Sequence, residues 1–383
     1  MKCFRFDIGL ENNKESNDFL RCLWSRMAVN FGKLAWQYVP FKVPSSKVIQ
    51  VGRASVGDDT LIDVRIIYKI RGCLSSIVFD LSGQFDTKII KERLSQSITE
   101  AFRYKDYIHE IIGKGTFDNN IEFKGKKGRL FAVENNEYKI HFWGYDKADC
   151  SSMFKTQSQQ ICDLLTFDTL KYITITGTLT ELIRNHNNLR TQLVLHETGK
   201  SIEGYERNIR YRDLVVSDSM VEYIDDYLER PYQYENHFTN FDRSIQLFSQ
   251  GIRNEELSNL YIGFPEPYVE QAVVFYMSAL EVITSDDRQP EKCECCGQMK
   301  YSIARRVTDL MNDMIPGGGE FAKRYYNARS KYVHTGILLS SNNYQNRSIP
   351  LMSMNSNSGM IDQIPQMNYC LKEIVKLCIE KHG

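Results

Sequence analysis

The chain has 383 residues, of which 42% are hydrophobic and 25% are charged. This composition is typical of globular proteins, and the length allows two or three domains. The formal net charge is zero, which excludes a global electrostatic attraction to nucleic acid, so that any nucleic-acid site has to be a local basic patch.

Three further features concern the cellular setting. The N-terminal segment has no apolar core, which predicts that there is no secretory signal. The longest apolar run, Ala272 to Ile283, is too short to span a bilayer and indicates a buried helix. The ten cysteines are scattered apart from one cluster, a distribution that favours reduced thiols over a disulfide framework. We therefore expect a cytoplasmic protein without membrane segments.

The first half of the chain mixes helix and strand patterns. Helical periodicity predicts helices over Asn17–Leu34 and Ile89–Ile112, the second ending at a Gly-Lys-Gly sequence. Runs rich in β-branched and aromatic residues predict strands at Lys47–Ser55, Leu61–Ile70, Ser75–Leu81, Asn120–Phe123, Gly128–Val133, Tyr138–Gly144, Leu170–Gly177 and Thr191–Glu197. This order predicts an α+β arrangement rather than a regular βαβ alternation.

Beyond Leu214 the strand pattern disappears and helices are predicted throughout. Their expected bounds are Ser217–Leu228, Phe238–Arg253, Pro267–Thr284, Tyr301–Met314, Gly319–Leu338 and Met360–His382. A segment rich in Ser and Asn, 340–359, is predicted to be a loop. We therefore predict two domains: a mixed α+β domain at 1–208, and an all-helical domain at 209–383.

An arginine followed by a histidine after four to six intervening residues occurs four times. Such a pair could bind a phosphate and exchange a proton near neutral pH, but the spacing alone is too common to indicate a site. For the first three pairs a purely structural setting is favoured: a solvated helix face, a half-buried strand and a helix end, in that order. These pairs are Arg103 with His109, Arg190 with His196, and Arg230 with His237.

The fourth pair, Arg329 with His334, has different surroundings. An apolar helix containing Ala279-Leu280-Glu281 precedes it, followed by a predicted helix with Ala304-Arg305-Arg306 and by the break Pro316-Gly317-Gly318-Gly319. The stretch 288–331 contains nine Lys or Arg and five Asp or Glu. A locally basic surface with interleaved tyrosines suits the backbone and bases of RNA.

The order of these segments resembles the HEPN superfamily, particularly its Apea-like branch, over roughly Glu266 to Cys378. Arg329 and His334 match the arginine and histidine of that family, whereas Ser330 stands where Asn, Asp or His is common. The resemblance implies an all-helical domain that acts as a metal-independent endoribonuclease, works as a homodimer and serves in phage defence or as a toxin. No cofactor would be required for catalysis.

The chemistry can also be argued from the residues. RNA carries its own nucleophile, the 2′-hydroxyl, so an enzyme needs a proton-transfer group such as His334 and a phosphate-binding group such as Arg329. On an ideal helix the side chains of Arg329 and His334 point about 140° apart, which favours a cleft shared by two chains. Weaker candidates for contacting the phosphate or sugar are Ser330, Lys331, Tyr326, Asn327, Arg305 and Arg306.

Alternatives remain at this point. Arg329 and His334 could simply stabilise the end of a helix, with Gly336 as its C-cap. The helical half could be a non-catalytic module that binds RNA or nucleotide or mediates dimerisation. The first half, in which no catalytic motif is evident, is expected to sense a phage-derived or cellular trigger or to restrain activity, although it could instead be the functional centre.

The cysteine cluster lies in the sequence Glu-Lys-Cys-Glu-Cys-Cys-Gly-Gln at 291–298. Cys293 and Cys296 have the C-x-x-C spacing of a zinc knuckle, and Cys295 is an additional thiol. A structural zinc needs four ligands, and the chain has no second C-x-x-C, so the other ligands would come from a second protomer or from distant cysteines. A redox-sensitive turn and a loop without special function are the alternatives.

Overall fold

The structure is a computed structural model of the chain. It describes residues 2–32, 34–56, 60–83, 86–119, 121–127, 129–134, 136–184, 192–194, 214–230, 238–260, 268–285, 303–336 and 368–382. An antiparallel N-terminal region is followed by a helical C-terminal region, which confirms the predicted α+β class. Within the described residues, no helix has both the length and the apolar character needed to cross a bilayer.

The first sheet is antiparallel, with the strand order β1-β5-β4-β3-β2. Its strands are β1 (Lys2–Asp7), β2 (Leu34–Lys42), β3 (Val48–Val56), β4 (Thr60–Tyr68) and β5 (Leu74–Ser82). Two helices, α1 (Asn13–Phe31) and α2 (Thr87–Phe102), contact each other and share a hydrophobic core with this sheet. The sequence predicted β3, β4, β5 and α1, but it did not predict β1 and β2.

The predicted helix Ile89–Ile112 is wrong in its second half. Helix α2 ends at Phe102, a short 3-10 turn follows, and His109–Phe117 forms strand β6. In this strand alternate residues are buried, which is the period of a half-buried strand. A Cβ atom on Gly113 would lie 2.1 Å from the Phe154 ring, so this glycine permits close packing and does not end a helix.

The second sheet has the order β11-β10-β6-β9-β8. Its remaining strands are β8 (Leu130–Glu134), β9 (Glu137–Gly144), β10 (Ile175–Arg184) and β11 (Gln192–Val194), while β7 (Ile121–Glu122) pairs in parallel with β12 (Leu214–Val215). Helix α3 (Lys147–Thr169), which the sequence did not predict, contacts this sheet. The side chain of Asp146 caps its N-terminus by accepting a hydrogen bond from the Asp149 amide at 2.9 Å.

The C-terminal helices are α4 (Asp218–Glu229), α5 (Asn240–Leu260), α6 (Tyr268–Ile283), α7 (Ile303–Met314), α8 (Gly318–Thr335) and α9 (Asn368–His382). The main contacts are α5 with α6, α7 with α8, and α9 with α5 and α6. These helices share one hydrophobic core with α3 and the second sheet, whereas the first sheet has a core of its own. The change from one core to the other lies near β6, and the predicted domain boundary near residue 208 stays a prediction.

Candidate functional site

The glycine-rich break places α8 closely against α7. Gly317 has a φ of 80°, in the left-handed region that favours glycine. A Cβ atom on Gly318 would lie 2.1 Å from the carbonyl oxygen of Met311. The amide of Gly319 donates to the Asn312 side chain at 2.6 Å. These contacts define the turn that leads the chain from the Arg305-Arg306 helix into the helix that carries Arg329.

Two of the segments that the sequence analysis singled out meet where α6 packs against α8. The Arg329 guanidinium forms a two-pronged ion pair with Glu281 of α6, with Nη1 3.0 Å from Oε1 and Nη2 3.1 Å from Oε2. The Tyr326 hydroxyl donates a hydrogen bond to the same carboxylate. The guanidinium also lies 5.7 Å from the centre of the Tyr326 ring. Glu281 therefore holds both side chains.

Arg306 of α7 contributes charge to the same cluster. Burial and the hydrogen bond to Glu281 raise the pKa of Tyr326, while the positive charges of Arg329 and Arg306 lower it. The Nε atoms of both arginines are enclosed and have no hydrogen-bond partner among the described residues. We call Glu281, Arg306, Tyr326 and Arg329 the arginine cluster. It retains unused donors although one carboxylate is already bound.

His334 lies in the last turn of α8, where its side chain is exposed. Gly336 ends the helix in the left-handed conformation, and its amide donates to the Tyr332 carbonyl at 3.0 Å. The predicted C-cap is thereby confirmed. Val333, next to the histidine, is 55% exposed. Arg329 is directed toward α6 while His334 is exposed, in agreement with the expected divergence of the two side chains around the helix axis.

The remaining predicted site residues have varied positions. Asn327, Ser330 and Arg305 are exposed, and the Arg305 guanidinium lies 3.8 Å from Asp309. The side chain of Lys331 lies outside the described residues, as do Cys293 and Cys296 with the rest of the cysteine cluster. Zinc binding therefore stays a prediction.

Of the other three Arg–His pairs, one differs from its predicted setting. Arg103 is the C-cap of α2 and His109 begins β6, so the prediction that both lie on one polar helix is wrong. Arg230 follows the last residue of α4 and its side chain pairs with Asp242 at 2.6 Å, which confirms the expected helix end. The partner His237 and the pair Arg190 with His196 lie outside the described residues.

Comparisons with protein-family models, with curated proteins and with solved structures find no match to this chain. The geometry of the arginine cluster and of the end of α8 is therefore the basis for a functional proposal.

Proposed function

We propose that the protein is a metal-independent endoribonuclease of the phage-defence or toxin type, whose site is formed by Arg329 and His334. The observation that supports this proposal is the convergence of three separate helices on one cluster. Glu281 from α6 and Arg329 from α8 form an ion pair there, and the charge of Arg306 from α7 acts on Tyr326 of the same cluster. The order of segments that resembles HEPN domains thus corresponds to a set of neighbours in space.

The proposed reaction needs proton transfer and charge stabilisation. A histidine removes the proton of the 2′-hydroxyl, whose oxygen attacks the adjacent phosphorus. The bond from phosphorus to the 5′-oxygen breaks, and a second acid protonates the leaving oxygen. The products are a 2′,3′-cyclic phosphate and a 5′-hydroxyl. Arg329 stabilises the negative charge that develops on the phosphate oxygens.

A homodimer completes this proposal because two histidines can divide the roles of base and acid. A two-fold interface brings the same surface of each chain together. The exposed Val333 beside His334 is the kind of apolar side chain that such an interface would cover. Arg329 and His334 would then line a cleft between the chains, with RNA as the partner.

One observation favours a second candidate function. Glu281 already neutralises Arg329 within the single chain, and a neutralised arginine is a weaker phosphate ligand than a free one. A non-catalytic module, in which the Glu281–Arg329 pair only braces the helices and the surface binds RNA or mediates dimerisation, would have this geometry as well.

Cleavage of labelled single-stranded RNA in EDTA distinguishes the two candidates. We expect wild-type protein to release fragments that end in a 2′,3′-cyclic phosphate, and to leave a DNA oligonucleotide of the same sequence intact. His334→Ala and Arg329→Ala should each lower the rate by about 100-fold or more, the usual contribution of a proton-transfer or charge-stabilising group.

Two matched variants serve as controls. His382→Ala removes an exposed histidine from the last turn of α9, and Arg305→Ala removes an exposed arginine from α7. His382→Ala should cleave like wild type, and Arg305→Ala, at a weaker predicted contact, should change the rate by less than Arg329→Ala does. If His334→Ala and Arg329→Ala retain wild-type rates, or if EDTA abolishes cleavage, the nuclease proposal is wrong. Binding of RNA without cleavage would favour the second candidate.

A further inference from the structure

A pocket with a volume of about 520 Å³ lies between α3 and α5, and Val282 of α6 is part of its wall. Its size is within the range of sites for small molecules. The polar lining consists of Gln159, Asp163, Arg243, Gln246, Gln250 and Arg253. The pocket shares none of these residues with the arginine cluster.

Asp163 is a buried carboxyl group in the pocket wall. Its side chain accepts a hydrogen bond from the Gln159 amide at 3.2 Å, and the residue is only 3% exposed. Burial raises its pKa to about 7, so near neutral pH it is present both as a hydrogen-bond donor and as an acceptor. The wall thus offers a carboxyl group and an amide side by side.

Further hydrogen-bonding capacity near Asp163 is unused. The Gln160 side-chain oxygen accepts from Gln246 at 2.7 Å, but its amide nitrogen is enclosed and has no partner among the described residues. The Ser249 hydroxyl lies beside Asp163 outside good hydrogen-bonding geometry. Neither Gln160 nor Ser249 lines the pocket, so a ligand in the pocket would find its hydrogen-bonding groups on Gln159, Asp163, Gln246 and Gln250.

Two exposed arginines lie on the pocket face of α5. Arg243 and Arg253 are roughly 15 Å apart along the helix axis, at about 1.5 Å per residue, and Gln246 and Gln250 lie between them on the same face. Neither arginine forms an ion pair with a residue in the described part of the chain. A guanidinium group without a carboxylate partner is well suited to bind phosphate.

The two ends of the pocket differ in chemistry. At one end the Arg253 guanidinium lies 5.9 Å from the centre of the Tyr172 ring, and the backbone of Tyr172 is fixed by its hydrogen bond to Glu256 at 3.1 Å. This end presents flat groups on which an aromatic heterocycle can stack. At the other end Arg243 is a single exposed cation.

From these contacts we infer that the pocket binds a nucleotide, with its base at the Tyr172–Arg253 end and its phosphates at Arg243. The amide and carboxyl groups between the two ends pair with the polar edge of the base. A free anion would use only the arginines and would leave the side-chain amides of the wall and the aromatic ring without a ligand group. Val282 follows Glu281 in α6, so the bound nucleotide contacts the helix whose carboxylate holds Arg329.

Calorimetric titration of the full chain with adenosine and guanosine diphosphates tests this inference at one fixed ionic strength, with the corresponding nucleosides and inorganic pyrophosphate as separate probes. We expect saturable binding of at least one diphosphate, with one site per chain. Arg243→Ala should weaken that binding about tenfold or more and leave the affinity for the nucleoside unchanged. Arg253→Ala should weaken both.

Arg71→Ala, which removes an exposed arginine from the turn between β4 and β5, is the matched control and should bind like wild type. All three substituted side chains are exposed, and thermal melting of each variant establishes that it is folded. The inference is wrong if wild type binds none of the nucleotides, if Arg243→Ala and Arg253→Ala bind like wild type, or if Arg71→Ala loses as much affinity as they do. It is also wrong if pyrophosphate binds as tightly as the diphosphates. RNA cleavage is scored separately, so the outcome does not depend on the nuclease proposal.

Discussion

Asp163→Asn is expected to make the protein more stable than wild type at neutral and alkaline pH. Burial raises the pKa of Asp163 from 3.8 to about 7 in the folded state, so folding favours the protonated carboxyl. The stabilisation linked to this proton is complete below pH 3.8 and is lost as the pH rises through 7. Asparagine keeps a neutral acceptor for Gln159 and has no proton to lose.

The size of the effect follows from the difference between the two pKa values, 3.8 and about 7. Each unit corresponds to about 1.4 kcal/mol, so ionised Asp163 costs the folded state about 4 kcal/mol above pH 7. The stability advantage of Asp163→Asn should therefore grow by about 1.4 kcal/mol per pH unit between pH 4 and pH 7 and should then level off.

Urea unfolding at intervals from pH 5 to pH 9, followed by near-ultraviolet circular dichroism, measures this advantage as a difference in the free energy of unfolding. Other titrating groups are common to both proteins and cancel in that difference. Asp309→Asn, at a carboxylate whose side chain is 63% exposed, is the matched control and should give a nearly constant difference. A constant difference for Asp163→Asn as well would refute the reasoning that burial controls this carboxyl.

Two further predictions concern the arginine cluster and the turn before α8. Glu281→Gln leaves the half-buried Arg329 without its carboxylate and should lower the free energy of unfolding by about 1–3 kcal/mol in urea titrations; a change below a few tenths of a kcal/mol would mean that the pair contributes nothing. Gly318→Ala forces a Cβ atom to 2.1 Å from the Met311 carbonyl oxygen. Because the α7–α8 turn then has to open, the melting temperature should fall by several degrees. An unchanged melting temperature would contradict the observed close approach.

The C-terminal helices were predictable because their apolar residues recur with helical spacing over long segments. The turn between α7 and α8 was also predictable, because proline and glycine mark it locally. Most observed bounds lie within a few residues of the predicted ones, as for α7 (Ile303–Met314). The periodicity of apolar residues is enough to predict these helices, because each helix buries one continuous face.

Strand β6 and helix α3 could not be predicted in the same way. In β6 the short sequence His-Glu-Ile-Ile fits a helix as well as a strand, and the alternation becomes visible only once Phe154 and Tyr138 are known to pack on Gly113 and Gly115. Helix α3 buries polar residues such as Gln157 and Gln160, which weakens its amphipathic pattern. In both elements tertiary contacts outweigh the local signal.

The role of Glu281 shows what sequence order leaves undetermined in the candidate site. Its segment was noted, but only the packing of α6 against α8 brings its carboxylate to Arg329. Each terminal nitrogen of that arginine uses one of its two hydrogens on Glu281, so a phosphate has to bind the remaining hydrogens or displace the carboxylate. His334 lies about 7.5 Å further along the axis and on another side of α8. A single chain therefore separates the two chemical groups, and the proposed reaction depends on a second chain to bring a histidine to the phosphate.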